Sequence, residues 1–226
     1  MQNISAVIYD LDGTIIDTER FHQEAWELTS QEYGFGLSGE QLYLASKGIS
    51  SKKTLEKVLP VERHPIIDQA TEAKFRYMME LMEHEQIGVF PGFSETFEML
   101  RGYVVPGFHF PLGICTSARK ENVDALQRNK NSFISLVLQD LSGKVAWKEM
   151  YKEGKPAAEP LLLASRLVGV DVKNVLYVGD ALADYQCAQN AGAAFVYFCG
   201  ENATPDGKIP SSVPRIKDHR ELMELL

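Results

Sequence analysis

The sequence predicts a three-layer α/β fold built around a parallel sheet, with a small all-α domain inserted after the first strand. Short apolar runs recur along the 226 residues and are unbroken rather than alternating, which is typical of strands buried on both faces of a parallel sheet. Amphipathic helical patterns lie between these runs in the second half of the chain. About 100 residues separate the first run from the second, far more than an ordinary crossover connection needs.

Five apolar runs bounded by turn residues are predicted to be the strands of this sheet. They are Ala6–Tyr9, Leu112–Cys115, Phe133–Leu138, Val175–Val178 and Ala194–Cys199. Three helices are predicted between these strands in the part of the chain after residue 90, because apolar residues recur there at helical intervals. They are the face of Phe93, Phe97 and Leu100, the face of Val123 and Leu126, and residues 157–168.

The long gap after the first strand is predicted to be an inserted helical domain. We expect this domain to cover residues 18–88, which leaves residues 1–17 and 89–226 as the core domain. Ser38 and Gln41 have the spacing of a capping box and mark the start of one helix. Two further helices are indicated by apolar faces. These faces contain Phe21, Ala25 and Leu28 in one case, and Ile67, Ala70, Met78, Leu81 and Met82 in the other.

Composition and charge narrow the range of functions. A net charge of -8 and a pI near 5.2 argue against a nucleic-acid partner, which would need a basic face. Cys115, Cys187 and Cys199 lack metal-ligand spacing and are expected to be thiols in a reducing cytoplasm. With no basic leader and no apolar run near the roughly 18 residues of a membrane span, we expect a cytoplasmic protein without a membrane partner. No sequence feature indicates the oligomeric state.

Carboxylates, hydroxyls and an ammonium group follow the ends of the predicted strands. Because ligands of open α/β sheets bind outside the carboxyl ends of the strands, we expect these groups to meet at one edge. Asp10 and Asp12 are two residues apart, so their side chains share one side of an extended chain. The full set is Asp10 and Asp12 after the first strand, Thr116 and Ser117 after the second, Lys155 before the helix that leads to the fourth, and Asp180 and Asp184 after the fourth.

This set of side chains indicates phosphoryl chemistry with a bound cation. Crowded carboxylates raise one another's pKa unless a cation intervenes, and oxygen ligands with room for water suit Mg²⁺. A Mg²⁺ ion held by Asp10 and Asp180 would bind one oxygen of a phosphate, while Lys155 and Thr116 would bind the others. An aspartate can accept the phosphoryl group covalently, and Asp12 is placed to protonate the leaving oxygen and later to activate water.

The segments "DLDGT", "CTS", "GKPAAEP" and "GDALAD", in this order, resemble the four motifs of the haloacid dehalogenase superfamily. The resemblance implies a Rossmann-like core with a five-stranded sheet and a small α-helical cap that closes over the site and selects the substrate. It implies that Asp10 becomes an aspartyl phosphate, and that Asp12 is the general acid/base and gives a main-chain carbonyl to Mg²⁺. The other roles it implies are phosphate binding by Thr116, Ser117 and Lys155, and metal binding by Asp180 and Asp184.

Within the superfamily, "DGTIIDTERFHQEAW" and "SKGIS" resemble β-phosphoglucomutase and its phosphatase relatives, including phosphoglycolate phosphatase. The resemblance makes His22 and Lys47 candidate substrate-binding residues of the cap. Two departures favour hydrolysis: Ser51 stands where the mutases carry an arginine, and Asp184 is present where they lack an acid. The connection over residues 140–155 is longer than the resemblance implies, and this connection and the one over residues 102–111 are candidate functional loops.

The sequence therefore predicts a Mg²⁺-dependent phosphatase of a small phosphorylated metabolite, such as a sugar phosphate, acting through an aspartyl phosphate. A phosphosugar mutase of the β-phosphoglucomutase type is the alternative enzyme. A non-catalytic phosphate-binding regulatory protein is the alternative from another class. The complete set of four motifs argues against this last alternative, since a site without catalysis need not keep them all.

Overall fold

The structure, a computed structural model, describes residues 3–46, 50–102, 109–200 and 207–226. The chain divides into two compact units. The core unit comprises Met1–Asp17 and Ile87–Leu226, and the helical unit comprises Thr18–Gln86. The core is therefore built from two separate stretches of chain, whereas the helical unit is one continuous stretch inserted between them.

Four α-helices lie in the described part of the helical unit: α1 Glu19–Tyr33, α2 Gly39–Ser46, α3 Ser51–Val58 and α4 Ile67–His84. The predicted capping box is present, because the Ser38 hydroxyl accepts from the Gln41 N–H at 3.2 Å and the Gln41 side chain accepts from the Ser38 N–H at 2.9 Å. Trp26 of α1 is fully buried with Leu42 and Leu55. The sequence patterns do not predict α3, because so short a helix has too few apolar positions to show a period.

The core unit contributes five further α-helices within the described residues: α5 Phe93–Leu100, α6 Lys120–Arg128, α7 Phe133–Asp140, α8 Glu159–Val168 and α9 Leu182–Ala191. The apolar faces predicted for α5 and α6 are both buried. Short 3₁₀ turns lie at Lys148–Met150, Val172–Asn174 and His219–Glu224. Across the described ranges, no helix combines the length and apolar character that a membrane span requires.

The sheet is parallel throughout and has six strands in the described residues, one more than predicted. The strands are β1 Ala6–Tyr9, β2 Leu112–Cys115, β3 Val145–Ala146, β4 Val175–Gly179, β5 Ala194–Phe198 and β6 Arg215–Ile216. Their order across the sheet is β3-β2-β1-β4-β5-β6. Tyr9 at the end of β1 lies opposite Ile114 on one side and Val178 on the other. This register brings the residues that follow β1, β2 and β4 to the same edge of the sheet.

The prediction of a strand at Phe133–Leu138 is wrong, because these residues form most of α7. Ile134, Val137 and Leu138 are buried and Leu136 is exposed, which is the pattern of a helix with one apolar face. The third strand is instead β3, two residues long, inside the connection over residues 140–155. The sixth strand, β6, is equally short. The overall α/β class and the parallel arrangement are as predicted.

Candidate active site

Asp10 and Asp12 lie where β1 ends and the chain turns. Asp10 is buried, and its N–H donates to the Val178 carbonyl at 2.8 Å, which extends the pairing of β1 with β4 by one residue. Asp12 is partly buried and forms a single parallel bridge with Ile16. Gly13, with φ of +79°, donates its N–H to the Ile16 carbonyl at 2.9 Å. A left-handed residue is required at this turn, and glycine adopts that conformation at little cost.

Lys155 connects two of the aspartates. Its ammonium lies 2.7 Å from Asp10 Oδ1 and 2.7 Å from Asp184 Oδ1, and only 5% of its side chain is exposed. Burial lowers the pKa of Lys155, but the two carboxylates more than compensate and hold its pKa well above its ordinary value. Lys155 is therefore a permanent cation at the end of β1.

The environment of Asp10 disfavours its ionised form in the absence of a further cation. Burial raises the pKa of Asp10, Lys155 opposes this effect, and the charges of Asp184 and Asp180 raise the pKa further. The net direction is well above the ordinary value. Because a nucleophilic carboxylate must be ionised, the site requires more positive charge than Lys155 supplies.

Asp180 follows β4 and is held by the loop after β1. The Thr14 hydroxyl donates to Asp180 Oδ1 at 3.0 Å. Gly13 leaves room for this carboxylate, because a Cβ atom at Gly13 would stand 2.4 Å from Asp180 Oδ2. Burial and the charge of Asp184 raise the pKa of Asp180 to about 7.

A buried histidine supports the same loop from the other side. His219 Nε2 lies 2.8 Å from the Thr14 carbonyl, which can only accept, so Nε2 carries the proton. The imidazole stacks on Phe198 at a centroid distance of 4.5 Å and packs edge-on against Phe93 at 5.3 Å. Burial lowers the pKa of His219 to about 4, so the ring is neutral at pH 7. The sequence patterns assign no role to this residue.

Asp184 lies in the first turn of α9 and is buried. Its Oδ1 accepts from the Tyr177 hydroxyl at 2.8 Å as well as from Lys155, and its Oδ2 accepts from the Ala181 N–H at 3.0 Å. Tyr177 is not predicted as a site residue. Its position inside a buried strand is a usable signal, however, because a buried tyrosine hydroxyl needs a partner.

The three carboxylates form a group that could hold a metal ion. One oxygen from each of Asp10, Asp180 and Asp184 lies within 4.8 Å of the others. Such oxygens fit Mg²⁺, and the raised pKa of Asp10 indicates a need for added positive charge. Asp184 already accepts from three donors, so Asp10 and Asp180 are the better placed ligands. The two roles expected for Asp12, general acid/base catalysis and metal binding through its main-chain carbonyl, stay predictions.

Thr116 and Ser117 follow β2 at the same edge. Thr116 is buried, and its Oγ1 accepts from the Ala118 N–H at 3.0 Å, which leaves its hydroxyl hydrogen for another acceptor. The Thr116 carbonyl accepts from the Tyr151 hydroxyl at 2.9 Å. Ser117 is exposed. The pair thus presents one fixed and one accessible hydroxyl, which suits an anion with several oxygens.

The helical unit contains one of the two predicted cap residues within the described ranges. His22 Nδ1 lies 2.9 Å from the ammonium of Lys74, and that ammonium lies 5.7 Å from the centre of the Trp26 ring. Burial and the Lys74 charge lower the pKa of His22 to about 3. The sequence patterns do not predict a role for Lys74, although a lysine on the buried face of α4, four residues from Ala70 and from Met78, is a readable signal. Lys47 lies outside the described residues.

Comparison with known proteins identifies the family of this chain. The family model of haloacid dehalogenase-like hydrolases matches residues 7–198. The chain is 27% identical over 224 residues to (DL)-glycerol-3-phosphatase 1, mitochondrial, of Arabidopsis thaliana, covering 96% of this chain and 69% of the relative. It is 24% identical over 225 residues to 6-phosphogluconate phosphatase of Escherichia coli (strain K12), covering 100% of this chain and 94% of the relative.

A solved structure shares the fold. The crystal structure of a phosphoglycolate phosphatase homologue from Lactobacillus plantarum superposes with a TM-score of 0.74 at 20% identity, covering 99% of this chain and 100% of the other. The two proteins are alike in fold, and the similarity covers both the α/β core and the helical insertion. Since the family model spans most of the sequence and includes all four motifs, the chain belongs to the haloacid dehalogenase-like hydrolases.

Proposed function

We propose that this protein is a Mg²⁺-dependent phosphatase that hydrolyses a small phosphorylated metabolite through an aspartyl phosphate on Asp10. The observation that carries the proposal is the position of the Lys155 ammonium, 2.7 Å from the carboxylates of both Asp10 and Asp184. A buried cation beside a buried carboxylate favours the ionised nucleophile and offers a charge to phosphate oxygens.

The proposed reaction has two steps. An Asp10 carboxylate oxygen attacks phosphorus, the bond from phosphorus to the ester oxygen breaks, and Asp12 gives its proton to the departing oxygen. Asp12 then takes a proton from water, whose oxygen attacks the aspartyl phosphate. The bond from phosphorus to Asp10 breaks, which releases inorganic phosphate and restores the carboxylate.

The remaining residues bind and orient the phosphate. Thr116 and Ser117 donate hydroxyl groups to its oxygens, and Lys155 neutralises their charge. Asp10 and Asp180 would hold a Mg²⁺ ion, which would supply further charge neutralisation. Asp184 fixes the Lys155 ammonium in place, since it accepts from Lys155 at 2.7 Å.

Small phosphorylated carbon chains are the substrate class that best matches the relatives. The two curated relatives are named as phosphatases of glycerol 3-phosphate and 6-phosphogluconate. We propose that the helical unit acts as the substrate-selecting cap, with His22, Lys74 and Lys47 as its candidate substrate-binding residues. The buried ammonium of Lys74 beside a neutral imidazole supports an anionic or hydroxylated substrate.

The test is the turnover of p-nitrophenyl phosphate in the presence of Mg²⁺ by the wild type and by Asp10→Asn. We expect Asp10→Asn to lose activity by at least about 1,000-fold, because an amide cannot form the covalent intermediate. Asp17→Asn is the matched control, since Asp17 is an exposed aspartate later in the same segment. Full activity in Asp10→Asn would refute the mechanism.

A second measurement separates hydrolysis from phosphoryl transfer within a sugar. With β-glucose 1-phosphate as substrate, a phosphatase releases inorganic phosphate, whereas a mutase yields glucose 6-phosphate. We expect inorganic phosphate across a panel of phosphorylated metabolites. Binding of these compounds without any turnover would instead favour the non-catalytic regulator.

A further inference from the structure

The connection between β3 and α8 runs alongside the segment that follows β2. The Thr116 N–H donates to the Ala146 carbonyl at 2.9 Å, and the Lys148 N–H donates to the Ala118 carbonyl at 2.9 Å. The Lys120 N–H, at the start of α6, donates to the Glu149 carboxylate at 2.9 Å. These bonds continue the pairing of β2 with β3 beyond the sheet edge, so the connection holds the segment that carries Thr116 and Ser117.

Tyr151 contacts one of the proposed phosphate-binding residues directly through its side chain. Its hydroxyl donates to the Thr116 carbonyl at 2.9 Å. Burial raises the pKa of Tyr151 to about 12, so its hydroxyl keeps its proton at neutral pH. This hydroxyl therefore fixes the direction of the Thr116 carbonyl.

The hydrogen bond from Tyr151 to the Thr116 carbonyl also sets the direction of the Ser117 N–H. The peptide unit is planar and trans, so the Thr116 carbonyl and the Ser117 N–H point in opposite directions. Because Tyr151 holds the carbonyl on its own side, the Ser117 N–H must point away from Tyr151. The Thr116 hydroxyl is oriented independently, because its oxygen accepts from the Ala118 N–H.

The same connection carries Lys155 into the site. The carboxylate of Glu159, in the first turn of α8, accepts from the N–H groups of Lys152 at 3.2 Å and Glu153 at 2.9 Å. These bonds fix the chain between Tyr151 and Lys155. Tyr151 therefore links the segment after β2 to the segment that presents the Lys155 ammonium.

We propose that Tyr151 is a positioning residue of the phosphate subsite, which orients the Thr116–Ser117 peptide so that its donors and the Lys155 ammonium face one phosphate group. This inference rests on the proposed function. Tyr151 takes no part in bond making; it acts through Thr116 and Ser117. The family motifs do not include its position, which lies four residues before Lys155 in the long connection.

The test is the affinity of Tyr151→Phe for inorganic phosphate, measured by calorimetry in the presence of Mg²⁺. Phenylalanine keeps the ring and removes only the hydroxyl, so we expect the melting temperature to fall by no more than a few degrees, as for the loss of one internal hydrogen bond. We expect the affinity for phosphate to be weaker by about 3- to 10-fold. The KM for p-nitrophenyl phosphate is expected to rise by the same factor. Tyr77→Phe is the matched control, because the Tyr77 hydroxyl donates to Glu32 within the helical unit. Equal phosphate affinity in Tyr151→Phe and the wild type would overturn the inference.

A double-mutant cycle tests whether Tyr151 acts through its neighbour. We expect Ser117→Ala and Tyr151→Phe together to weaken phosphate binding less than the product of the two separate effects, because Tyr151 is proposed to act through the peptide that joins Thr116 to Ser117. Fully independent effects would contradict the proposed coupling.

Failure of the positioning role of Tyr151 can be told apart from failure of the proposed phosphatase mechanism. Turnover that survives Asp10→Asn, with phosphate binding that depends on Tyr151, would contradict the phosphatase mechanism alone. Turnover that requires Asp10, with phosphate binding indifferent to Tyr151→Phe, would contradict the positioning role alone.

Discussion

The hydroxyl of Thr14 donates a hydrogen bond of 3.0 Å to the carboxylate of Asp180, across 166 residues of sequence. The carbonyl of the same threonine accepts from His219 at 2.8 Å. The turn after β1 is therefore held between a candidate metal ligand and a buried imidazole. The partners on both sides are held by the sheet and its flanking turns. We therefore expect a change in the turn after β1 to displace the Asp180 carboxylate.

Gly13→Ala should weaken metal binding. A Cβ atom at Gly13 would stand 2.4 Å from Asp180 Oδ2, so the carboxylate must move. We expect the Mg²⁺ concentration for half-maximal activity to rise by about 10-fold or more. Gly143→Ala is the control, because Gly143 has a φ of +78° but no atom within 4 Å of the added Cβ. Both variants share the backbone strain of a left-handed alanine, so equal Mg²⁺ dependence in the two would contradict the prediction.

Lys155→Met should abolish most activity. Methionine has a similar length but no charge, so it leaves the buried carboxylates of Asp10 and Asp184 without their cation. We expect kcat/KM for p-nitrophenyl phosphate to fall by about 100-fold or more, as for the loss of one charged group at a transition state. Lys152→Met, at an exposed position of the same connection, should behave as the wild type. Comparable losses in the two variants would refute a specific role for Lys155.

Mg²⁺ should stabilise the protein more at pH 8 than at pH 6. Burial and the Asp184 charge raise the pKa of Asp180 to about 7, so the folded protein without metal holds a proton that the unfolded chain releases near pH 4. This group therefore costs stability as the pH rises from about 4 to 7, and Mg²⁺ competes with its proton below pH 7. The measurement is the melting temperature with Mg²⁺ or EDTA at both values of pH. A shift that does not depend on pH, or one that persists in Asp180→Asn, would contradict this account.

His219 should make the fold sensitive to acid. Burial lowers its pKa to about 4, against an ordinary value of 6.5, so the unfolded chain binds a proton before the folded protein does. Stability from this group is present above pH 6.5 and is lost as the pH falls through about 4, by up to about 3 kcal/mol. We expect urea unfolding of His219→Gln to lose less free energy between pH 7 and pH 4.5 than the wild type. The exposed His84→Gln should follow the wild type, and a parallel decline in all three proteins would contradict the role of His219.

The sequence predicts correctly those elements whose residue pattern is typical of only one kind of secondary structure. Buried parallel strands are unbroken apolar runs, and for this reason β1 and β4 are placed correctly. The four motifs identify the superfamily, and the structure brings Asp10, Lys155 and Asp184 into direct contact. The run at Phe133–Leu138 fails because a short apolar helix with one face buried has nearly the composition of a strand.

Two supporting residues of the site, Tyr151 and His219, are beyond the reach of sequence patterns. Each contacts a residue far along the chain, at a separation of 35 residues for the bond from Tyr151 to Thr116 and 205 residues for the bond from His219 to Thr14. Such contacts depend on tertiary packing, which periodicity does not encode. The two-residue strands β3 and β6 are equally invisible, since two residues cannot show a period.

The division of the chain into one continuous and one discontinuous unit has a consequence for its synthesis on the ribosome. The helical unit ends at Gln86, so all its residues emerge before those of β2 or β4, the two neighbours of β1. Because domains fold as units as they are synthesised, we expect the helical unit to fold first. During this time β1 remains an apolar segment without a paired strand. Four buried residues, Ala6–Tyr9, are then the part of the nascent chain most in need of protection from aggregation.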